Sequence, residues 1–193
     1  MVGELHIVAR VGLVDGEDLQ HVLVVFLQKT FHPVCIPVSG RGADRVNSPV
    51  FRVEGWAVYT EQMMLDQGYG EGDPALRLTQ LKFYLRAVAN AILDHRMHCS
   101  RMSDGEALDF LMNQSFQSEG EAQLKIIRSK QSTVQLSTYF VGRMALYDLR
   151  REIQREQGPD FDLGRYHEAV LAHGSLPVKY LGELVRERLG SPR

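Results

Sequence analysis

From residue 53 to residue 70 the chain reads VEGWAVYTEQMMLDQGYG, and its apolar positions, Trp56, Val58, Tyr59, Met63, Met64 and Leu65, fall on more than one side of a helix. That pattern predicts an interior helix. Glu54 and Glu61 nevertheless lie within it, spaced so that both carboxylates project from about the same face. A carboxylate on a mostly buried helix is costly to desolvate unless it finds a cation, a metal or strong donors. Downstream, Asp73-Pro74 reads as an N-cap followed by proline at the first helical position. Leu81, Leu85, Val88, Ile92 and His95 then trace one face of a long helix to about His98. Ser103 with Glu106, and Ser118 with Glu121, have capping-box spacing, so a helix is predicted to start at each.

The next long helix is predicted over 134–157, with Tyr139, Gly142, Leu146, Leu149 and Ile153 on one stripe. Glycine inside a helix costs about 1 kcal/mol against alanine, so Gly142 points to close approach by another backbone or by a ligand. Asp162 starts a further helix to about His173, Gly174 ends it, and Pro177 opens a last one to about Leu189. Residues 1–16 are less patterned, being punctuated by Gly3, Gly12 and Gly16. From Glu17 the spacing of Leu19, Val22, Leu23, Phe26 and Leu27 predicts a helix that His32-Pro33 stops, and prolines and glycines then mark a long connection to about Ser48. The expected architecture is an all-α, multi-helix array, divided into an N-terminal segment, 1–48, and a helical domain, 49–193.

Composition narrows the function classes. The 193 residues carry a net charge of −2, with no basic run interleaved with aromatics, which argues against nucleic acid as a partner. Cys35 and Cys99 suit neither a disulfide framework nor a zinc knuckle. The apolar run 22–27 is too short to span a bilayer, and Met1 is not followed by the segments of a signal peptide. As given, the chain reads as cytoplasmic and without a membrane partner; a truncated start could have lost a signal.

EGWAVYTEQMMLDQGYG resembles the E-G-W-A-x-Y-x-E-Q segment of the domain of unknown function 885 family, a bacterial group of gluzincin-like metallopeptidases. DPALRLTQL, the helix through Asp94 and His98, ALDFL, SFQSEGEA, YFVGRMALYDLR and FDLGRYHEAVLAHGSLPVKYL follow in the same order. The resemblance runs from about Val53 to Leu189 and covers only the C-terminal part of a full-length member. It implies the C-terminal portion of a zincin-like helical metallopeptidase fold, with zinc as the cofactor. In that pattern an H-E-x-x-P-G-H helix gives two histidine ligands and the glutamate that activates water, while the glutamate of E-G-W-A is the third ligand. Glu54 is therefore the metal-ligand candidate.

The other half of that site is missing. No H-E-x-x-P-G-H occurs; in its place stands DGEDLQH, residues 15–21, in which only His21 matches a ligand position. Loss of the general base alone removes about 10²- to 10⁴-fold in rate, so peptidase turnover by the family's mechanism is not expected, and zinc is expected to bind weakly or not at all. The resemblance also marks His98, near the peptide-binding side, and Tyr139, whose hydroxyl could stabilise an oxyanion. Arg143 and Arg150 could hold a substrate carboxylate or be solvated surface residues. His167 is expected to fix helix packing. Three readings remain: a degenerate member that keeps the fold and Glu54, a module that binds peptide in the old groove, and a metalloenzyme completed by another chain. Loss of packing partners would favour self-association through exposed apolar helix faces.

Overall fold

A computed structural model describes residues 49–190. Within them every regular element is helical: α1 (Pro49–Asp66), α2 (Pro74–Cys99), α3 (Asp104–Asp109), α4 (Glu119–Gln131), α5 (Thr138–Gln157), α6 (Leu163–Leu171) and α7 (Leu181–Gly190). The expected all-α array is thus what forms. The predicted helix after Glu17 and the long connection to Ser48 lie outside the described residues, as does His21.

The starts of these helices follow the local chemistry. Asp73 accepts a hydrogen bond from the Ala75 amide with Pro74 at the first position of α2. Ser103 and Glu106 form a reciprocal box at α3: the Glu106 amide donates to Ser103 Oγ, and the Ser103 amide donates to the Glu106 carboxylate. At α4 only half of the second box forms. Ser118 caps the Glu121 amide, while the Glu121 carboxylate takes Arg86 at 2.8 Å and Lys125 at 3.4 Å; two cations outcompete one backbone amide.

The helix predicted from Val134 begins four residues later. A 3-10 turn, Gln135–Ser137, precedes α5, and Val134 itself sits at φ +71°. A β-branched residue in the left-handed region is strained. Asp94 on α2 holds it there: its buried carboxylate accepts from the amides of Val134 and Ser137, both at 3.2 Å, and from Ser137 Oγ at 2.8 Å. α2 also differs from its predicted single face. Val88 and Ile92 are buried, but so is every other position from Ala87 to Asp94, because small side chains at 87, 89 and 91 let neighbours close in from all sides.

The most extensive packing is between α1 and α5. A Cβ added to Gly55 would stand 2.6 Å from the Arg143 amide nitrogen, and one added to Gly142 would fall on the carbonyl oxygen of Phe51. The two backbones therefore touch, which is the close approach that Gly142 predicted. Around this crossing Tyr59, Met63, Leu146, Tyr147, Leu149 and Ile153 meet Tyr166, Ala169 and Val170 of α6 and Leu181 and Val185 of α7 in one apolar core.

Candidate functional site

The α1–α5 crossing sorts the side chains of the EGWAVY stretch. With Gly55 against α5, Tyr59 is fully buried and Trp56 half-buried on the side facing α6, while Glu54 lies about 140° around the helix from Tyr59. Glu54 is half-buried, and no hydrogen bond or ion pair engages it among the described residues.

Tyr59, Arg150 and His167 form a chain of hydrogen bonds. Tyr59 Oη is 2.7 Å from His167 Nε2, and Arg150 Nη1 donates to the same hydroxyl over a long 3.5 Å. A guanidinium can only donate, so the tyrosine oxygen accepts from it; in the tautomer that leaves Nε2 of His167 bare, the tyrosine proton goes to that nitrogen. Burial, helped by the Arg150 charge, pushes the His167 pKa below its usual 6.5, which agrees with a neutral ring. Rings close the cluster: Trp56 meets His167 edge-on at 5.4 Å, Tyr59 meets Tyr147 at 4.8 Å, and Tyr166 lies 5.5 Å from His167. Tyr166 donates to the Leu146 carbonyl at 3.1 Å.

The neutral imidazole makes a pH-dependent contribution to stability. Its folded-state pKa is depressed, so between that value and 6.5 the unfolded chain binds a proton that the folded chain does not, and stability rises with pH there. The contribution is complete above about pH 6.5 and is lost as pH falls through the window below it. Urea midpoints measured between pH 5 and pH 8 are expected to fall on the acid side, and His167→Gln should flatten that slope. An unchanged slope would mean that His167 is not the titrating group.

About two turns back along α5 from Arg150 lies a second polar group. Arg143 is fully buried; its guanidinium carbon is 3.9 Å from the centre of the Tyr84 ring and 4.4 Å from that of Tyr147. It donates to Tyr84 Oη at 3.0 Å and, from Nη2, to Gln62 Oε1. Burial pushes the Tyr147 hydroxyl up to about 12, and that hydroxyl makes no hydrogen bond among the described residues. Arg143 is thus not a solvated surface residue. Arg150, seven positions on, is half-buried and has no carboxylate bonded to it among the described residues.

The remaining candidates sit apart from this cluster and from one another. His98 closes α2, its Nε2 3.0 Å from the Ser129 carbonyl and 3.4 Å from Asp94 Oδ1, so it ties α2 to α4. Tyr139 accepts a long 3.4 Å bond from Arg128 of α4. Among the described residues no hydrogen bond or ion pair joins Glu54, His98 and Tyr139. His167 does fix packing, between α6 and α1. The pairing of Tyr59 with His167 was not foreseen: the sequence marked His167 for helix packing but gave no signal that Tyr59 is its partner.

A family model described as bacterial protein of unknown function, DUF885, matches residues 45–185. The chain belongs to the DUF885 family. Among solved structures, this DUF885 chain is similar to a "putative lipoprotein of unknown function" from Shewanella oneidensis, with 43% identity and a TM-score of 0.69 over 70% of this chain and 25% of that one. It is also similar to a "putative lipoprotein" from Colwellia psychrerythraea, with 28% identity and a TM-score of 0.70 over 72% of this chain and 24% of that one. The chain therefore spans about a quarter of the length of either neighbour. No curated protein matches it significantly. No helix among the described residues is long and apolar enough to cross a membrane.

Proposed function

We propose that this chain is a degenerate, non-catalytic part of a zinc-metallopeptidase-like helical domain, one that keeps the glutamate helix without peptide-bond turnover. The observation that carries this reading is Glu54: a half-buried carboxylate, unpaired among the described residues, on a helix whose other face is locked to α5. The H-E-x-x-P-G-H motif that would complete such a site is absent from the sequence. Among the described residues no group of three or more His, Cys, Asp and Glu side chains could hold a metal ion. Bound zinc would supply Lewis-acid polarisation of a carbonyl and a more acidic water; the sequence lacks the H-E-x-x-P-G-H glutamate that takes the proton in the resembled pattern. The lipoprotein descriptions of both neighbours support an extracytoplasmic setting for this fold in place of the cytoplasmic one expected above.

Zinc loading followed by desalting tests this. The protein is expected to retain well below stoichiometric zinc and to leave a general peptide substrate uncut. Stoichiometric zinc held by the parent protein and lost in Glu54→Ala, together with cleavage, would overturn it.

Arg150 favours a second reading, a peptide-binding module. Its guanidinium has spare donors beside Trp56, Tyr59 and His167, a set suited to a peptide carboxylate with an aromatic neighbour. A titration with short peptides should show binding that Arg150→Ala weakens, whereas blocking the peptide's C-terminal carboxylate should weaken it equally. Binding indifferent to both changes would remove the module.

A further inference from the structure

The side of α1 turned away from α5 carries a seven-residue repeat. Val50, Ala57 and Met64 occupy one position of it, Val53 and Thr60 the position three residues on, and Glu54 and Glu61 the next. These are the a, d and e positions of a coiled-coil heptad, in which a and d form the apolar seam and e lies beside it and sets partner choice by charge. Here the seam faces outward. Val50 is 43% exposed, Val53 57% and Met64 45%, and Ala57 is exposed with them. Thr60 turns its hydroxyl back to the carbonyls of Trp56 and Ala57, at 3.0 and 2.9 Å.

On α1 itself the charge beside the seam has one sign. The only basic residue of α1, Arg52, is buried and donates to the Val170 carbonyl at 2.8 Å, inside the fold. Glu54 and Glu61 are therefore the only charged groups beside the seam on this helix. Glu61 is exposed and Glu54 half-buried on this face. Two such faces from separate copies would set carboxylates beside an apolar seam on both sides, without a cation between them. That like-charge arrangement is unfavourable.

We propose that the outward face of α1, the seam Val50, Val53, Ala57 and Met64 flanked by Glu54 and Glu61, docks an amphipathic helix that carries lysine or arginine beside its own apolar seam. The small side chains at 53, 57 and 60 allow close approach, and the carboxylates fix register and sign. α1 is held rigid by its contact with α5, so the partner alone is ordered on binding, which lowers the entropic cost. Zinc plays no part in this docking, and the experiment is run in chelator so that it stands apart from the metal reading above.

The probe is a fluorescently labelled three-heptad peptide with Leu at a and d and Lys at e and g, compared with a twin that carries Glu at e and g. Binding to the full chain is followed by fluorescence anisotropy. The Lys peptide is expected to bind about tenfold more tightly than the Glu peptide at low salt, and the gap should narrow in about 0.5 M salt, where the Debye length is only a few ångströms. Glu54→Gln combined with Glu61→Gln should bring the two peptides to about the same affinity. Val53→Asp combined with Met64→Asp should abolish binding of both, with the thermal melt followed by circular dichroism unchanged because both positions are exposed. If that melt shifts, the Gln pair, which adds no charge to the seam, carries the test. Equal or absent binding of the two peptides by the parent protein would overturn the proposal. So would binding retained by a folded Val53→Asp, Met64→Asp protein. Sedimentation that showed concentration-dependent self-association abolished by Met64→Asp would replace the basic helix with a second copy and overturn it as well.

Discussion

Gly142→Ala is expected to destabilise the protein by about 3 kcal/mol, although alanine is the better helix former. In an exposed helix interior the same change would gain about 1 kcal/mol. At position 142 the new methyl would fall on the Phe51 carbonyl oxygen and stand 2.9 Å from Gly55 Cα. Both are backbone atoms, so no side chain can rotate aside. Relief requires α1 to move off α5, and that movement strips contacts from Tyr59, Leu146 and Tyr147 together. Gly55→Ala meets the same crossing from the other side, and the two substitutions share one displacement, so the double mutant should lose less than the sum. Gly105→Ala, whose Cβ would meet nothing within 4 Å, is the control and should cost nothing. Urea titrations with a common slope decide it: a midpoint for Gly142→Ala no lower than that of the parent would mean that the helices separate freely.

Helix number and placement were largely legible because they rest on local signals: Asp73-Pro74, the Ser103 and Glu106 box, Asp162 and Gly174 act within a turn of where they stand. The start of α5 was misread because it depends on Asp94, a residue forty positions away in sequence whose carboxylate holds Val134 in a strained conformation. No window of periodicity contains that information. The candidate site divides along the same line. The contact at Gly142 could be inferred from the cost of a glycine in mid-helix, a local argument about a non-local fact. The pairing of Tyr59 with His167 could not, since it joins residues 108 apart and each reads alone as an ordinary core residue. Glu54 was recognisable through its motif, and its exposure follows from the turn of α1 that Gly55 imposes. His21, the other metal-ligand candidate, lies outside the described residues.

Arg143 gives the sharpest contrast between volume and chemistry. Arg143→Lys is expected to cost about 3 kcal/mol, and Arg143→Met only about 1 kcal/mol, the reverse of what a conservative exchange of cations suggests. The guanidinium is buried between the Tyr84 and Tyr147 rings and reaches Gln62 and Tyr84 Oη with separate nitrogens, yet no carboxylate is bonded to it among the described residues. Its charge is therefore tolerated through two ring faces, two neutral acceptors and the more distant Asp66. An ammonium in its place is a compact, strongly hydrated charge that cannot lie flat between the rings or span both acceptors, so it bears nearly the whole desolvation cost with fewer partners. Methionine fills a similar volume, keeps contact with both rings through its sulfur, and removes the buried charge altogether. It leaves Gln62 Oε1 and Tyr84 Oη short of a donor, which sets its smaller cost. Comparing the urea midpoints of the two variants with that of the parent measures the difference directly. If lysine proves the milder replacement, the positive charge itself, drawn by Asp66, holds this end of α5 in place, and the ring sandwich adds little.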